Sequence, residues 1–174
     1  MVIMATENDD TLIELATIVS NGNEHVVRDV TLLVRAPEAF VETHQDWYES
    51  LFADSADDDN ADIVDVLTSW LVESHAGAWI DRHAQPRQIV AQLSEVEATL
   101  GCPLHIDELE FTGEEETEEF LDLIGTDLES KGFGLYRLDI DNDAFLLFIV
   151  RDEDEAVFTR DITELGLEGY MHQP

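Results

Sequence analysis

The stretch that decides the fold is YRLDIDNDAFLLFIV, which runs from Tyr136 to Val150. Its first residues alternate between the two faces of an extended chain, which is the period of a β-strand. The run AFLLFIV at 144–150 is unbroken and apolar, as is typical of a strand covered on both faces. Asn142 and Asp143 tolerate the positive φ of a tight turn. The stretch therefore predicts an antiparallel hairpin spanning about 134–151.

The three aspartates of this stretch also invite comparison with a calcium-binding loop. An EF-hand loop that began at Asp139 would need glycine at its sixth position and glutamate at its twelfth. Ala144 and Val150 occupy those positions. The flanking segments are also strands rather than the helices of an EF-hand. We therefore expect a hairpin turn and no cation site at Asp139–Asp143.

Apolar residues elsewhere recur at the three-and-four spacing of amphipathic helices. Helices are predicted at 11–21, 25–34, 37–51, 61–71 and 86–100, another carries residues 118–129, and a last one follows the acids at 152–155. Asn21-Gly22 is also a strong turn signal for a β-hairpin. Residues 10–35 are therefore two helices or a hairpin, and the helical spacing of the apolar residues favours helices.

Local signals predict where several elements begin. Asp9 or Asp10 is expected to cap the first helix, and Asn60 the fourth, with Asp62 in its first turn. Thr112 and Glu115 have the spacing of a capping box at the start of the helix that carries residues 118–129. A short strand is predicted at 78–82, where the sequence is AWIDR.

Helices concentrated before a hairpin favour an α+β fold over a doubly wound sheet. We predict one α+β domain over residues 1–174, with a helical N-terminal half, a small sheet containing the hairpin, and helices packed on that sheet. Residues 1–9 and 167–174 are expected to be flexible ends. The segment 53–62, which is rich in aspartate, is expected to be an acidic linker.

Charge is the strongest compositional signal. The chain has 41 Asp and Glu against 8 Lys and Arg, which gives a net charge of −33. Such an imbalance destabilises a compact state by self-repulsion in dilute buffer. At molar salt the Debye length falls to about 3 Å and most of the repulsion is screened. The composition predicts a halophile protein whose surface binds hydrated salt cations.

The same composition excludes several partners and locations. Nucleic acids and anionic membranes are recognised by clustered cations, and the sequence has no such cluster. No apolar run approaches the ~18 residues of a spanning helix, and the first residues lack the pattern of a signal peptide. A single cysteine excludes an internal disulfide. We expect a cytoplasmic protein whose partner is another protein or a small molecule.

Two groups of residues are candidates for chemistry. Asp81 and His83 lie two residues apart at a predicted strand end, where a carboxylate could orient a general base. Cys102, His105 and Asp107 are of the types that zinc accepts. A structural zinc site needs about four ligands and no second cysteine exists. No metal and no cofactor are therefore predicted, and the three tryptophans are expected in the core.

Two longer stretches carry a resemblance to a known family. They are VDVLTSWLVESHAGAWIDRHAQPRQIVAQL at 64–93 and EEFLDLIGTDLESKGFGLYRLDIDNDAFLLFIV at 118–150. Within about 10–152 the chain resembles an uncharacterised, mainly bacterial family of small α+β proteins known as a domain of unknown function. In that family an Asp-Trp-Lys run follows the first strand. Here Asp81 matches, while Arg82 and His83 stand in the other two places.

The resemblance implies no activity, and the usual catalytic motifs are absent from the sequence. We therefore predict a non-enzymatic binding or adaptor module. The alternative is a small hydrolase or metal-dependent enzyme with its site near Asp81 and His83. A deep pocket with convergent polar groups would favour the enzyme, and an exposed apolar patch would favour the binding module.

Overall fold

The computed structural model describes residues 8–51, 62–141, 143–167 and 171–172. Within them the chain forms eight α-helices and four β-strands. In chain order these are α1 Asp9–Val19, α2 Glu24–Arg35, α3 Pro37–Thr43, α4 Gln45–Leu51, α5 Ile63–Glu73, β1 Ala78–Asp81, α6 Pro86–Leu100, α7 Thr117–Glu129, β2 Phe133–Asp141, β3 Ala144–Arg151, α8 Glu155–Glu164 and β4 Met171–His172. The predicted α+β class is confirmed. The predicted ends and the acidic linker fall largely outside the described residues.

The strands form one antiparallel sheet in the order β1-β3-β2-β4. The pair β2–β3 is the hairpin predicted at about 134–151, with Tyr136 opposite Phe148. β1 pairs with the other edge of β3, so that Ala78 lies opposite Leu147. The side chains of Asp139 and Asp141 lie outside the described part of the chain, so the absence of a calcium site stays a prediction.

Strand β3 is shared between two hydrophobic cores, one on each face of the sheet. Helices α1 to α5 and α8 enclose the first core, and α6 and α7 enclose the second. The first core takes Leu146, Phe148 and Val150 from β3, and the second takes Phe145, Leu147 and Ile149. Because consecutive strand residues point to opposite faces, an unbroken apolar run is what a strand between two helical layers requires.

Residues 10–35 form two helices, as their apolar spacing favoured. The turn between them uses left-handed backbone at Asn21 and Gly22, with φ of 51° and 71°. The Nδ2 of Asn21 donates a hydrogen bond of 2.9 Å to the carbonyl of Leu100 in α6. Asn23 then caps α2, because its side chain accepts from the backbone N–H of His25. The Asn21-Gly22 pair therefore forms a turn between two helices rather than the turn of a β-hairpin.

Several predicted helix and strand boundaries were wrong, because one predicted helix is two and other elements begin or end at different residues. The helix expected over 37–51 is two helices, α3 and α4, which meet at His44. Asp62 is the N-cap of α5, where it accepts from the backbone of Val64, so the expected cap at Asn60 is wrong. Asn8 rather than Asp9 or Asp10 precedes α1, and β1 ends at Asp81 rather than Arg82.

The capping-box spacing before α7 marks a turn and not the start of the helix. Glu115 accepts hydrogen bonds from the backbone N–H groups of Thr112 and Gly113, at 2.7 and 2.8 Å. These bonds, the one from Thr112 foremost, lower the pKa of Glu115 to about 2. Helix α7 begins only at Thr117, whose hydroxyl donates to the carbonyl of Ala84 at 3.2 Å.

Gly77, between α5 and β1, lies directly beneath an aromatic ring of the first core. A Cβ atom added there would lie 2.8 Å from Cε1 of Phe148 and 3.1 Å from the carbonyl oxygen of Leu147. Phe148 is itself buried, and its ring packs edge-on against Phe158 with centroids 6.0 Å apart. The position therefore requires glycine because there is no space for a side chain.

The few cations of the chain are engaged with its own carboxylates. Seven of the eight form ion pairs, namely Arg28, Arg35, Arg82, Lys131, Arg137, Arg151 and Arg160. Arg35 joins α2 to α1, Arg160 joins α8 to α1, and Arg137 joins β2 to α7. Three of the positive charges therefore connect different elements of the fold, while Arg28, Lys131 and Arg151 pair with acids close to them in the sequence. Among the described helices, none has the length and apolar character that a membrane span requires.

Candidate functional site

Asp81 and His83 lie at the turn between β1 and α6. The Oδ1 of Asp81 accepts a 2.7 Å hydrogen bond from the backbone N–H of His83, and its carbonyl accepts from Ala84 at 2.9 Å. Both side chains are exposed. The carboxylate thus contacts the backbone of His83, and no hydrogen bond in this described segment joins it to the imidazole. This arrangement holds a turn and does not by itself orient a general base.

The segment Cys102–Asp107 wraps around the carboxylate of Glu97 in α6. Oε1 of Glu97 accepts from the backbone N–H groups of Leu104 and His105 at 2.8 and 2.9 Å, and Oε2 accepts from Ile106 at 3.2 Å. Three backbone donors are thereby satisfied by one side chain. Nothing in the sequence distinguishes Glu97 from the other acids, so this anchor was missed.

The side chains of this segment turn to different partners. Sγ of Cys102 lies 3.5 Å from Nη2 of Arg151, and Nδ1 of His105 lies 3.3 Å from the carboxylate of Glu108. Asp107 is exposed. In the part of the chain that is described, no group of three or more His, Cys, Asp and Glu side chains is placed to hold a metal ion. The structure therefore does not assemble the three weak metal candidates.

A small cleft lies at the other end of β1. Its volume is about 260 Å³, and Glu73, His75, Gln92 and Glu95 supply its polar lining. Nδ1 of His75 lies 3.1 Å from Oε2 of Glu95, and His75 adopts left-handed backbone with φ of 55°. Both side chains are about half exposed, so the pair lies at the surface.

A larger and shallower groove runs along the outer face of α7, and we call it the α7 groove. Its volume is about 610 Å³, and Leu109, Glu110, Glu119, Asp122, Leu123, Thr126 and Asp127 line it. Leu123 is 40% exposed, more than any other large apolar side chain in the described segments. Leu109 provides a second, half-buried apolar contact. The groove therefore combines two apolar side chains with four acidic ones.

Two of the four acids of the α7 groove are already neutralised by the chain itself. Arg137 pairs with Asp122, and Nζ of Lys131 lies 2.6 Å from Oδ2 of Asp127. Glu110 and Glu119 form no ion pair within the described residues, and both are exposed. Two carboxylates therefore stay available beside Leu123.

The three tryptophans do not all lie in the core. Trp70 is buried in the first core and Trp47 packs against it, as expected. Trp79 is 39% exposed, so its predicted place in the core is wrong. It lies on the edge strand β1, facing away from Ala78 and Ile80, which point into the second core. An edge strand covers only one of its faces fully.

One fully buried acid lies between α8 and α1. Oδ1 of Asp161 accepts hydrogen bonds of 3.0 and 2.6 Å from Arg160, while Oδ2 has no partner in the described residues. Burial raises the pKa of Asp161 above its ordinary value, although Arg160 pulls it the other way. Arg160 also pairs with Glu14 at 2.6 Å. The group is structural, because it joins two helices away from every cleft described above.

Comparison with known proteins gives a family but no activity. A family model described as a domain of unknown function (DUF6630) matches residues 11–170. No curated protein and no solved structure matches the chain. The match includes the two stretches, 64–93 and 118–150, that carry the resemblance. The predicted resemblance to a family of unknown function is therefore confirmed. Function has to be inferred from the geometry of the chain itself.

Proposed function

We propose that this chain, which belongs to the DUF6630 family, is a non-enzymatic binding module of a salt-rich cytoplasm. Its α7 groove receives a segment of a partner protein that is basic and amphipathic. The observation that carries this proposal is Leu123, a large apolar side chain that is 40% exposed and lines the groove together with four acidic residues.

Apolar contact supplies the affinity in this proposal. Burying a leucine side chain completely is worth about 1.5–3 kcal/mol. Leu123 has 40% of its surface left to bury, which corresponds to about 0.6–1.2 kcal/mol from this residue. The partner's own apolar side chains add a similar contribution. Such contacts persist at high salt, where long-range attraction between charges is screened.

Charge supplies the selectivity. Glu110 and Glu119 line the groove together with Leu123, and neither forms an ion pair within the described residues. A partner carrying Lys or Arg beside an apolar residue would pair with them at contact distance. A partner with acidic flanks would meet like charges, which costs affinity. The groove thus favours an amphipathic helix with basic residues on either side of its apolar stripe.

The test uses a synthetic amphipathic helix of leucine and lysine, with binding followed by fluorescence anisotropy in molar KCl. Replacing Leu123 with Ser should weaken binding at least tenfold, a change of about 1.4 kcal/mol. Leu51→Ser is the matched control, because Leu51 is 37% exposed on α4 and lies outside the groove. This control should bind within twofold of the unmodified protein.

Charge exchange makes the test specific. Glu119→Lys should weaken binding of the lysine peptide and strengthen binding of a peptide in which glutamate replaces lysine. Equal effects of Leu123→Ser and Leu51→Ser would refute the α7 groove as the docking site. Failure of the glutamate peptide to gain affinity for the Glu119→Lys protein would refute the role given to charge.

A second candidate function is a small hydrolase, for which the strand-end residues Asp81 and His83 were the first candidates. The specific observation in its favour is the cleft at the other end of β1. There Glu95 lies 3.1 Å from Nδ1 of His75, an arrangement that leaves Nε2 as the basic atom. Hydrolysis of an activated ester that is lost in His75→Gln and kept in His83→Gln would support a site in the cleft. If both variants keep the hydrolysis activity, this candidate is refuted.

A further inference from the structure

One side of strand β1 has no partner strand, and we call this side the β1 edge. β1 stands first in the order β1-β3-β2-β4, so only its other side is paired. The N–H of Arg82 donates to the carbonyl of Asp143 at 2.9 Å, which continues the register of β1 and β3. The backbone groups of successive strand residues point to alternate sides. Those of Trp79 and Asp81 therefore point to the β1 edge.

Three backbone groups on the β1 edge are not used by the described part of the chain. They are the N–H and the carbonyl of Trp79 and the N–H of Asp81, whereas the carbonyl of Asp81 accepts from Ala84 at 2.9 Å. The side chain of Trp79 is 39% exposed beside them. The edge can therefore form the hydrogen bonds of a neighbouring strand, as in recognition by strand addition.

The cleft of about 260 Å³ lies at the start of this edge. Gly77 and Ala78 line it from the chain of β1, while Glu73 and Glu95 line it from α5 and α6, on the two faces of the sheet. Both glutamates are exposed. Glu95 contacts the imidazole of His75 at 3.1 Å, and Glu73 forms no ion pair within the described residues. A long cationic side chain of an added strand would meet two carboxylates there.

We propose that the β1 edge binds an extended segment of a partner protein in which apolar and basic residues alternate. Residues directly opposite one another on neighbouring strands share a face of the sheet. The partner residue opposite Ala78 would lie on the side of α6, where Glu95 lines the cleft, so Lys or Arg is favoured there. The next partner residue would lie beside the exposed ring of Trp79, where a β-branched or aromatic residue packs best.

Charge complementarity selects this partner over a second copy of the chain. Two copies joined at their β1 edges would bring the same acidic residues to the contact from both sides, and like charges there cost affinity. β1 has the sequence AWID, which contains no basic residue to pair with them. Short edge strands that carry charge are one means by which proteins avoid pairing with their own copies. The β1 edge shares no residue with the α7 groove, so neither proposal depends on the other.

The probe is a short synthetic peptide of alternating valine and lysine, titrated in molar KCl and followed by NMR on the protein amides. Binding should be saturable, and it should slow hydrogen exchange most at the amides of Trp79 and Asp81, which gain hydrogen bonds. The amides of Ala78 and Ile80 already face β3, so their exchange should slow less. The inference is overturned if no saturable binding occurs or if Trp79 and Asp81 gain no protection.

Two N-methylated peptides are the matched backbone control. Successive N–H groups of a bound strand point to alternate sides. With valine placed beside Trp79, the valine amides face the protein and the lysine amides face away. Methylation of the valine amides should therefore abolish binding, and methylation of the lysine amides should leave it. Equal binding of the two methylated peptides would overturn the inference, because it would show that backbone pairing plays no part.

Side-chain variants identify the surface. Glu95→Lys should weaken binding by about tenfold or more. Glu38→Lys is the matched control, because Glu38 is exposed on α3 and lies outside the cleft. Equal effects of these two changes would overturn the inference, and loss of binding in Leu123→Ser would place the peptide in the α7 groove instead. Protection of Trp79 that rises with protein concentration, without peptide, would assign the β1 edge to a second copy and overturn it equally.

Discussion

Replacing Gly77 with Ala should destabilise the protein through a clash with one identified ring. The new Cβ would lie 2.8 Å from Cε1 and 3.2 Å from Cδ1 of Phe148, and 3.1 Å from the carbonyl oxygen of Leu147. The ring is buried and its neighbours are packed, so it cannot move away freely. Overpacking of this kind costs about 1–3 kcal/mol.

The cause is tested by a second substitution. Phe148→Ala alone should cost about 3–5 kcal/mol, because it leaves a cavity in the first core. In the double variant the ring atoms that clash with the new Cβ are gone, and only its contact with the Leu147 carbonyl persists. The double variant should therefore be more stable than the sum of the two single effects implies, by about 1 kcal/mol or more.

Urea unfolding followed by circular dichroism in molar KCl measures these free energies. Gly125→Ala is the matched control, because its Cβ would meet only Cβ of Leu135 at an ordinary 3.9 Å. Inside helix α7 that change should stabilise by up to about 1 kcal/mol. If the effects of Gly77→Ala and Phe148→Ala add within about 0.5 kcal/mol, the clash is not the cause. A neutral Gly77→Ala would refute the reasoning outright.

Four further outcomes are expected. Titration with KCl, followed by circular dichroism, should show loss of cooperative structure below a few hundred millimolar, because the net charge is −33; a melt unchanged in salt-free buffer would contradict this. Because the pKa of Asp161 is raised in the folded state, its contribution to stability should fall as pH rises from the ordinary carboxyl range through that raised pKa. In Asp161→Asn the free energy of unfolding should change less steeply with pH over this range, and the same pH dependence in both proteins would contradict the prediction. Hydrogen exchange in molar KCl should be slowest at Phe145–Ile149, and exchange there as fast as at the helix ends would disprove a doubly covered strand. Calorimetric titration with calcium should show no saturable site at Asp139–Asp143, so a micromolar site lost in Asp141→Asn would prove the turn assignment wrong.

The elements that could be predicted are those whose signal is local. The apolar run at 144–150 is sufficient to indicate strand β3, and it forms that strand as expected. Pro86 and Gly101 mark the start and end of α6, which also forms as expected. The break at His44 could not be seen, because the apolar spacing of 37–51 continues across it. At the break the His44 ring packs against Trp70, which belongs to a different helix.

The candidate site was beyond the reach of the sequence for a similar reason. The α7 groove joins Leu109, from a loop, to Leu123, from the outer face of a helix. Periodicity places Leu123 off the buried stripe of α7 but gives no account of what lies beside it. Trp79 illustrates the same limit, because strand alternation shows which residues share a face and not whether the strand lies at an edge. Spatial neighbours of this kind are fixed only by the assembled sheet.

The sharing of β3 between two cores sets the order of events during synthesis. Helices α1 to α5 end at Glu73, but the strand that covers their apolar faces is complete only at Arg151, about 80 residues later. At ~5–20 residues per second, the first core stays open for roughly 4–16 s on the ribosome. Throughout that interval the early helices expose the surfaces most prone to aggregate. The acids dispersed among them are present from the start, so they keep nascent chains apart before any strand exists to hold the fold together.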